Sequence, residues 1–189
     1  MRVPSDDIHS LSELPILPGK SLGGFSIGSP ISDYENALVR ETLYYLNFRM
    51  SPDSRRLAVK PWGQYREPWG LAITLWPVEV HVDIRDSSIY RVDALPGYNA
   101  GYNGITLGMT WAEARAIEPL IDWDTEQDAL AIPGASGLFF DLADDDPIGP
   151  DEYVMHIRIA RIGVYDVAKG TSLSFPIPAE WGISSPPSD

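Results

Sequence analysis

A short segment that occurs twice constrains the fold of this chain more than any other feature of its sequence. One copy is Gly24-Phe-Ser-Ile-Gly28 and the other is Gly104-Ile-Thr-Leu-Gly108. Apolar residues at every second position predict a short strand, and the second glycine predicts its end. Both copies are followed by residues that begin helices, namely Pro30 in one and, in the other, Thr110 at capping-box distance from Glu113. The order strand, turn and helix is therefore predicted twice.

Patterns that follow each copy predict further elements. In the first half they predict a helix over 31–50 and strands over 71–76, 78–85 and 88–94. In the second half they predict a helix over 110–118 and strands over 129–132, 138–142, 153–159 and 162–167. The sequence His81-Val-Asp-Ile84 matches His156-Ile-Arg-Ile159, which predicts that the two histidines occupy equivalent places in the two halves.

We therefore expect an α+β fold of two tandem repeats, each a helix packed on a three- to four-stranded antiparallel sheet. The predicted divisions are an irregular lead-in at 1–19, a first repeat at 20–95, a second and acidic repeat at 101–168, and a proline-rich tail at 169–189. With 44% hydrophobic residues, the chain has enough apolar side chains for an ordinary core.

Negative charge is concentrated in the second half of the chain. The net charge is −13, to which residues 1–94 contribute −2 and residues 95–189 contribute −11. No lysine or arginine occurs between Arg115 and Arg158. Such a surface repels nucleic acid and attracts a basic protein, whose association it accelerates. The alternative interpretation is that the acidic residues only keep the protein in solution.

Two groups of residues are candidates for a partner-binding surface. The acidic group is Asp122, Asp124, Glu126, Asp141, Asp144, Asp145, Asp146, Asp151 and Glu152. The aromatic group lies in stretches rich in glycine and proline and is Trp62, Tyr65, Trp69, Tyr98 and Tyr102. Tryptophan and tyrosine are enriched at binding hot spots. For these five residues, packing in the core or in the loops is the alternative.

The patterns of nucleophilic catalysis are incomplete. Cysteine is absent, which excludes a thiol nucleophile, a thiolate metal site and a disulfide framework. The segment Gly19-Lys-Ser-Leu-Gly23 has the letters of a nucleophile elbow with Ser21 at its centre, but an elbow needs a strand before the serine and a helix after it. Prolines precede this segment and a predicted strand follows it. A flexible turn is therefore the favoured interpretation of the segment.

The patterns of metal binding are incomplete as well. Residues 141–152 have the length of a calcium-binding loop, but Ala143 occupies its third position and Asp146 its sixth, where glycine is required. A solvated acidic loop is favoured over loose cation binding. His81 and His156 have no second histidine or cysteine at ligand spacing, so we interpret both as structural. We expect no metal and no cofactor.

The segment Ile105-Thr-Leu-Gly-Met-Thr-Trp-Ala-Glu-Ala114 resembles the repeat of the outer-membrane lipoprotein family typified by BamE, and that of the tandem-repeat beta-lactamase inhibitor proteins of the same fold group. The resemblance covers about 20–50 and 101–167. It implies helices packed on an antiparallel sheet, with tandem copies that present a concave binding surface. An acidic and duplicated chain of this kind also resembles the immunity proteins of bacterial polymorphic-toxin systems, which bind and block a cognate toxin.

Together these features predict a non-enzymatic binding protein, most concretely an immunity protein that occludes a basic toxin such as a nuclease. The first residues lack the apolar core of a signal peptide, and no apolar run reaches membrane-spanning length. We therefore expect a cytoplasmic protein without nucleic-acid or membrane partners. The alternative functions are an envelope assembly module like those of the lipoprotein family, and a small serine hydrolase that uses Ser21.

Overall fold

The computed structural model describes residues 8–34, 57–64, 67–83, 85–125, 127–143 and 155–169. Its strands are β1 (Ser21–Leu22), β2 (Phe25–Ser26), β3 (Leu57–Gln64), β4 (Glu67–Leu75), β5 (Val78–Asp83), β6 (Ser88–Ala94), β7 (Asp122–Asp124), β8 (Ala129–Ala131), β9 (Leu138–Leu142) and β10 (Ile159–Tyr165). Its helices are two 3-10 helices, Ile8–Glu13 and Ile31–Tyr34, and the α-helix α1 (Trp111–Ile117). None of these helices has the length and apolar character needed to cross a membrane.

One large antiparallel sheet contains eight of the ten described strands, in the order β3-β4-β5-β6-β10-β9-β8-β7. The chain thus makes two four-stranded meanders, β3 to β6 and β7 to β10. The last strands of the two meanders pair with each other, in a register that places Val164 beside Val92 and Gly163 beside Asp93. The remaining strands, β1 and β2, form a separate two-stranded hairpin.

One face of the large sheet carries the hydrophobic core. Successive side chains of a strand point to opposite faces, and Val78, Val80 and Val82 of β5 all lie in the main apolar cluster. Val80 lies beside Val92, which lies beside Val164, so one row of valines crosses three neighbouring strands. All three are completely buried. Full burial of such a side chain contributes about 1.5–3 kcal/mol, so this row fixes which face of each strand is covered.

The recurrent segment forms the same tight turn in both of its copies. The first and fourth residues of Leu22–Phe25 pair with each other, and so do those of Tyr102–Ile105. In both turns the two central residues have positive φ and the second of them is glycine. This geometry is that of a hairpin turn for which glycine and asparagine are preferred. The side chains of Phe25 and Ile105 that follow the glycines are completely buried.

Matching backbone hydrogen bonds then attach each copy to the last strand of a meander. The amide of Gly28 donates to the carbonyl of Ile89 in β6, and the amide of Gly108 donates to the carbonyl of Ile159 in β10, both at 2.8 Å. Positions 89 and 159 are therefore equivalent in the two meanders. The predicted equivalence of His81 and His156 is wrong, because His81 is buried in β5 while His156 is exposed in a turn.

The predicted fold class is wrong. The part of the chain that the structure describes is mostly β, with one α-helix of seven residues, and it does not form two helix-on-sheet repeats. The pairing of β6 with β10 makes one continuous sheet of both halves. The strand pair predicted over 153–159 and 162–167 is wrong where it is described, because Ile159–Tyr165 is a single strand. Residues 153–154 lie outside the described residues. Alternation shows which face a residue occupies, and it does not show which strand lies beside it.

Local predictions are confirmed at the second copy of the segment. The side chain of Thr110 accepts a hydrogen bond from the amide of Glu113 at 3.2 Å, and the carboxylate of Glu113 accepts one from the amide of Thr110 at 2.8 Å. This capping box begins α1 as predicted. The helix predicted over 31–50 starts with the 3-10 helix Ile31–Tyr34, and its remainder lies outside the described residues.

Candidate functional site

Charged side chains occupy the second face of the sheet at its centre. In β5 the residues that alternate with the core valines are Glu79, His81 and Asp83, and in β6 they include Arg91 and Asp93. Asp93 is 0% exposed and His81 is 6% exposed. Burial of a charge is costly unless the charge is paired and hydrogen-bonded. These side chains must therefore satisfy one another.

The pairing around His81 is dense, and we refer to Glu79, His81, Arg91 and Asp93 as the charge cluster. Nε2 of His81 lies 3.2 Å from Oδ2 of Asp93 and 3.3 Å from Oε1 of Glu79. Nε of Arg91 donates to Oδ1 of Asp93 at 2.8 Å, and Nη2 of Arg91 donates to Oδ2 at 2.8 Å. The guanidinium fork thus holds the carboxylate at both oxygens, which is the strongest form of this ion pair.

Residues of the second meander also pack against the charge cluster. The guanidinium carbon of Arg91 lies 4.4 Å from the centre of the Phe139 ring, in cation–π contact. Gly163 provides the space for this arrangement. A Cβ at position 163 would overlap the Phe139 ring and lie 2.6 Å from Oδ1 of Asp93. Glycine is therefore required at this position for packing, independently of its backbone angles.

The pKa shifts of the charge cluster favour the charged form of the histidine and of both carboxylates. Burial lowers the pKa of His81, but the hydrogen bonds and negative charges of Asp93 and Glu79 outweigh it, so the pKa lies above its usual value of 6.5. The hydrogen bond from His81 lowers the pKa of Glu79 to about 2. Burial opposes ionisation of Asp93, yet Arg91 and His81 hold its pKa below the usual range.

These contacts bear on whether the charge cluster is a metal centre or a structural cluster of ion pairs. One ligand atom from each of Glu79, His81 and Asp93 lies within 4.8 Å of the others, which is a spacing that a metal ion accepts. A ligating histidine must however be neutral, and the raised pKa of His81 favours its protonated form. The carboxylate of Asp93 is already bound by Arg91. The arrangement therefore fits a structural charge cluster that joins β5 to β6.

A groove lies at the far edge of the sheet, beside β7, and has a volume of about 610 Å³. We refer to it as the edge groove. Its lining residues come from β7 and the residue Leu120 before it, from the turn into β8, from the last residue of β8, from the loop between β8 and β9, from the first residue of β9, and from the end of β10. They are Leu120, Asp122, Trp123, Asp124, Thr125, Gln127, Ala131, Ile132, Pro133, Gly134, Ala135, Ser136, Gly137, Leu138 and Tyr165. Two of them are acidic, and none of these fifteen is basic.

Polar contacts order one wall of the edge groove. Oδ1 of Asp122 accepts a hydrogen bond from the amide of Trp123 at 3.0 Å. The carboxylate of Asp124 accepts two from Gln127, one from its backbone amide at 3.3 Å and one from Nε2 at 2.8 Å. The other side-chain atom of this amide, Oε1 of Gln127, is buried and has no hydrogen-bond partner among the described residues. Leu120 at the rim is 63% exposed.

The structure separates the acidic residues that the sequence grouped together. Asp122 and Asp124 line the edge groove. Asp141 lies instead beside the charge cluster, with Oδ2 at 3.6 Å from Nη2 of Arg91. The other predicted acidic residues lie outside the described part of the chain and are Glu126, Asp144, Asp145, Asp146, Asp151 and Glu152.

The predicted aromatic group is also dispersed. Tyr98 is 4% exposed, and its hydroxyl donates to the carbonyl of Leu14 at 2.6 Å and accepts from the amide of Gly23 at 3.1 Å, so it packs in the core. Tyr102 is half-buried against the same core. The backbones of Trp62 and Trp69 lie in β3 and β4, and Tyr65 lies outside the described residues.

Ser21 lies in β1, where it pairs with Ser26 of β2. A strand therefore follows it, as expected, in place of the helix that a nucleophile elbow requires.

Sequence reasoning missed the charge cluster and Gln127. Alternation of Glu79, His81 and Asp83 with valines was a visible signal for a polar sheet face, but no local pattern showed that this face is buried. An unsatisfied acceptor such as Oε1 of Gln127 becomes evident only when its surroundings are known. Comparison with known proteins finds no matching family model, no matching curated protein and no matching solved structure. Functional inference therefore rests on the geometry of these two sites.

Proposed function

We propose that this protein is a non-enzymatic binding protein that holds a basic protein partner at its edge groove. The observation that carries the proposal is the composition of the groove lining, in which Asp122 and Asp124 lie among apolar and uncharged polar residues without any basic side chain. Leu120, at 63% exposure, gives the same surface an apolar contact point.

This combination suits a protein partner better than a small polar ligand. Interfaces bind through a few anchoring side chains in partly apolar pockets, surrounded by polar groups that select the partner. Trp123 and the buried Tyr165 are among the lining residues of the edge groove, and Asp122 is an exposed one. The excess negative charge of residues 95–189 acts over a longer range and raises the rate at which a basic partner arrives.

In its most specific form, the proposal is that the partner is a toxin and that this protein is its immunity protein in the cytoplasm. Binding would neutralise the toxin by occlusion, because a protein seated on a basic active site excludes the toxin's substrate. Two features support an immunity protein in particular. The chain is acidic, and an acidic chain with a recurrent segment resembles the immunity proteins of polymorphic-toxin systems. The proposal requires no catalytic residue and no cofactor in this chain.

The proposal is tested with the partner isolated by tagged pull-down and then purified. We expect the double variant Asp122→Asn/Asp124→Asn to associate about tenfold more slowly at low salt and to lose part of its salt dependence. The rate constants are measured by stopped-flow or surface-based kinetics at several salt concentrations.

A matched control removes two negative charges elsewhere. Glu13→Gln/Asp33→Asn changes two exposed acidic residues outside the edge groove, and the glutamine keeps the oxygen that accepts from Asn99. This control should retain most of the wild-type association rate. Equal rates and equal salt slopes for the two double variants would refute the proposed role of the edge groove.

A further inference from the structure

We propose that the exposed apolar side chains at the end of α1 bind an apolar side chain of the partner that lies between basic residues. These side chains are Ile117, Pro119 and Leu120, and we refer to them as the apolar turn. The inference rests on the proposed function, because it names the contact that the basic partner makes beside the edge groove.

The exposure of the apolar turn is the first observation. Ile117 is 45% exposed and Leu120 is 63% exposed, and Pro119 between them is exposed as well. A single exposed apolar residue needs no explanation, but a group of neighbouring ones on a folded protein is typical of an interaction site. A partner that covers them removes apolar surface from water, which favours binding.

Packing of the core does not account for the apolar turn. The inward residues of α1 are Trp111 and Ala114, which are buried in the main apolar cluster. Ile117 lies instead beside the tight turn of the recurrent segment, where a Cβ at position 104 would be 3.7 Å from Cγ2 of Ile117. The apolar turn is therefore a second apolar surface of this part of the chain, and it faces the solvent.

Hydrogen bonds fix the apolar turn before any partner arrives. The amide of Glu118 donates to the carbonyl of Ala114 at 2.9 Å and closes the end of α1. The amide of Ile121 donates to the carbonyl of Glu118 at 3.0 Å, and the amide of Leu120 donates to Oε1 of Glu118 at 3.3 Å. Ile121 is completely buried and anchors the turn in the core. A surface that is already ordered loses little conformational freedom on binding.

The surrounding charges favour a basic partner over a second copy of this chain. Residues 110–125 contain four acidic residues and one basic residue, Arg115. Asp122, two residues after Leu120, is exposed. A second copy would bring the same excess of negative charge, and like charges oppose association. Lysine or arginine residues on either side of an apolar side chain would instead be attracted to the surroundings of the apolar turn.

The test uses three peptides with blocked ends as probes of the full-length protein. The first has one leucine between two pairs of lysines, the second has serine in place of the leucine, and the third has glutamates in place of the lysines. Titrations are followed by the NMR shifts of the Ile117 and Leu120 methyl groups, with the exposed Leu17 and Val167 as references. We expect the leucine–lysine peptide to shift the first pair alone and to bind about tenfold more tightly than the other two peptides.

The double variant Ile117→Ala/Leu120→Ala removes the apolar contact and keeps every charge. We expect it to bind the leucine–lysine peptide about tenfold more weakly, at the level of the serine peptide. Leu17→Ala/Val167→Ala is the matched control, because it truncates side chains of similar exposure, 45% and 57%, outside the apolar turn. It should bind like the wild type. Binding to the variants is followed by the amide signal of Glu118, and an unchanged amide spectrum elsewhere checks that each variant is folded.

Three results would overturn the inference. They are equal affinity for the leucine–lysine peptide and either of the other two, wild-type affinity in Ile117→Ala/Leu120→Ala, and methyl shifts that grow with protein concentration without peptide, which would make a second copy the occupant. The proposed function fails separately, when neutralising Asp122 and Asp124 leaves partner association unchanged. If that neutralisation slows the partner while the peptides show no preference for leucine, the function stands and the inference on the apolar turn is refuted.

Discussion

At the scale of single residues, the charge cluster shows how a buried sheet face can carry full charges. Asp93 has no exposed surface, and its two oxygens are bound by Arg91 on one side and approached by His81 on the other. Removing one partner from a buried ion pair is strongly destabilising, because the remaining charge cannot return to water. The cluster therefore tolerates little substitution.

The protonation of His81 makes the stability of the fold depend on pH. Its pKa in the folded protein lies above the usual 6.5, so its contribution is fully present below pH 6.5 and is lost as the pH rises through the folded value. Glu79 and Asp93 act in the opposite direction. Their lowered pKa values contribute stability above their usual values of 4.5 and 3.8, and this contribution is lost as the pH falls.

We predict that His81→Gln loses most stability relative to the wild type below about pH 6.5, and that this difference shrinks as the pH rises. Urea unfolding from about pH 5 to about pH 9 measures it. His156→Gln is the matched control, because His156 is exposed in a turn, and its difference from the wild type should stay small at every pH. A difference at position 81 that grows with pH would show that the histidine is buried in its neutral form.

At the scale of elements, the junction of β6 and β10 joins the two meanders and packs most tightly at Gly163. A methyl group there would overlap the Phe139 ring, which also covers Arg91. The junction thus connects the packing of the second meander to the charge cluster of the first.

We predict that Gly163→Ala lowers the free energy of unfolding by about 1–3 kcal/mol, the usual cost of overpacking a core position. In the background Phe139→Leu the same substitution should cost less, because the smaller side chain can yield. A double-mutant cycle from denaturant unfolding measures the difference. Additive effects of the two substitutions would contradict the predicted overlap.

Elements whose signals are local could be predicted from the sequence. The bounds 88–94 and 138–142 agree with β6 and β9, and the capping box located the start of α1. The pairing of β6 with β10 has no local signal, and therefore the prediction that each half forms its own helix-on-sheet unit was wrong. Strand β7 was missed because it is the short sequence Asp-Trp-Asp, and aspartate is depleted in strands.

The candidate sites were predictable to a similar extent. Asp122 and Asp124 were predicted because they lie in the stretch between Arg115 and Arg158, which contains no lysine or arginine, and the charge of a stretch can be read from its sequence. Asp141 belonged to the same stretch, but it lies beside Arg91 near the sheet centre, and one-dimensional charge cannot distinguish these places. Tyr98 looked like a loop aromatic and is a core residue, since its hydroxyl finds buried backbone partners.

At the scale of the whole molecule, the two ends of the large sheet differ. The end formed by β3 contains Pro61 and a register shift between Trp62 and Gly63. Proline and bulges discourage the addition of another strand. The end formed by β7 carries the edge groove, within the half of the chain that holds most of the net negative charge. We therefore place the proposed partner at the β7 end.

The measurement that tests this placement most directly is amide hydrogen exchange of the protein with and without its purified partner. We predict slower exchange on binding in Leu120–Thr125 and in the loop 132–137, both of which line the edge groove. Exchange at β3 and β4 should not change, and high salt should reverse the protection. Protection confined to β3 and β4, or none at the edge groove while the partner is bound, would contradict the account.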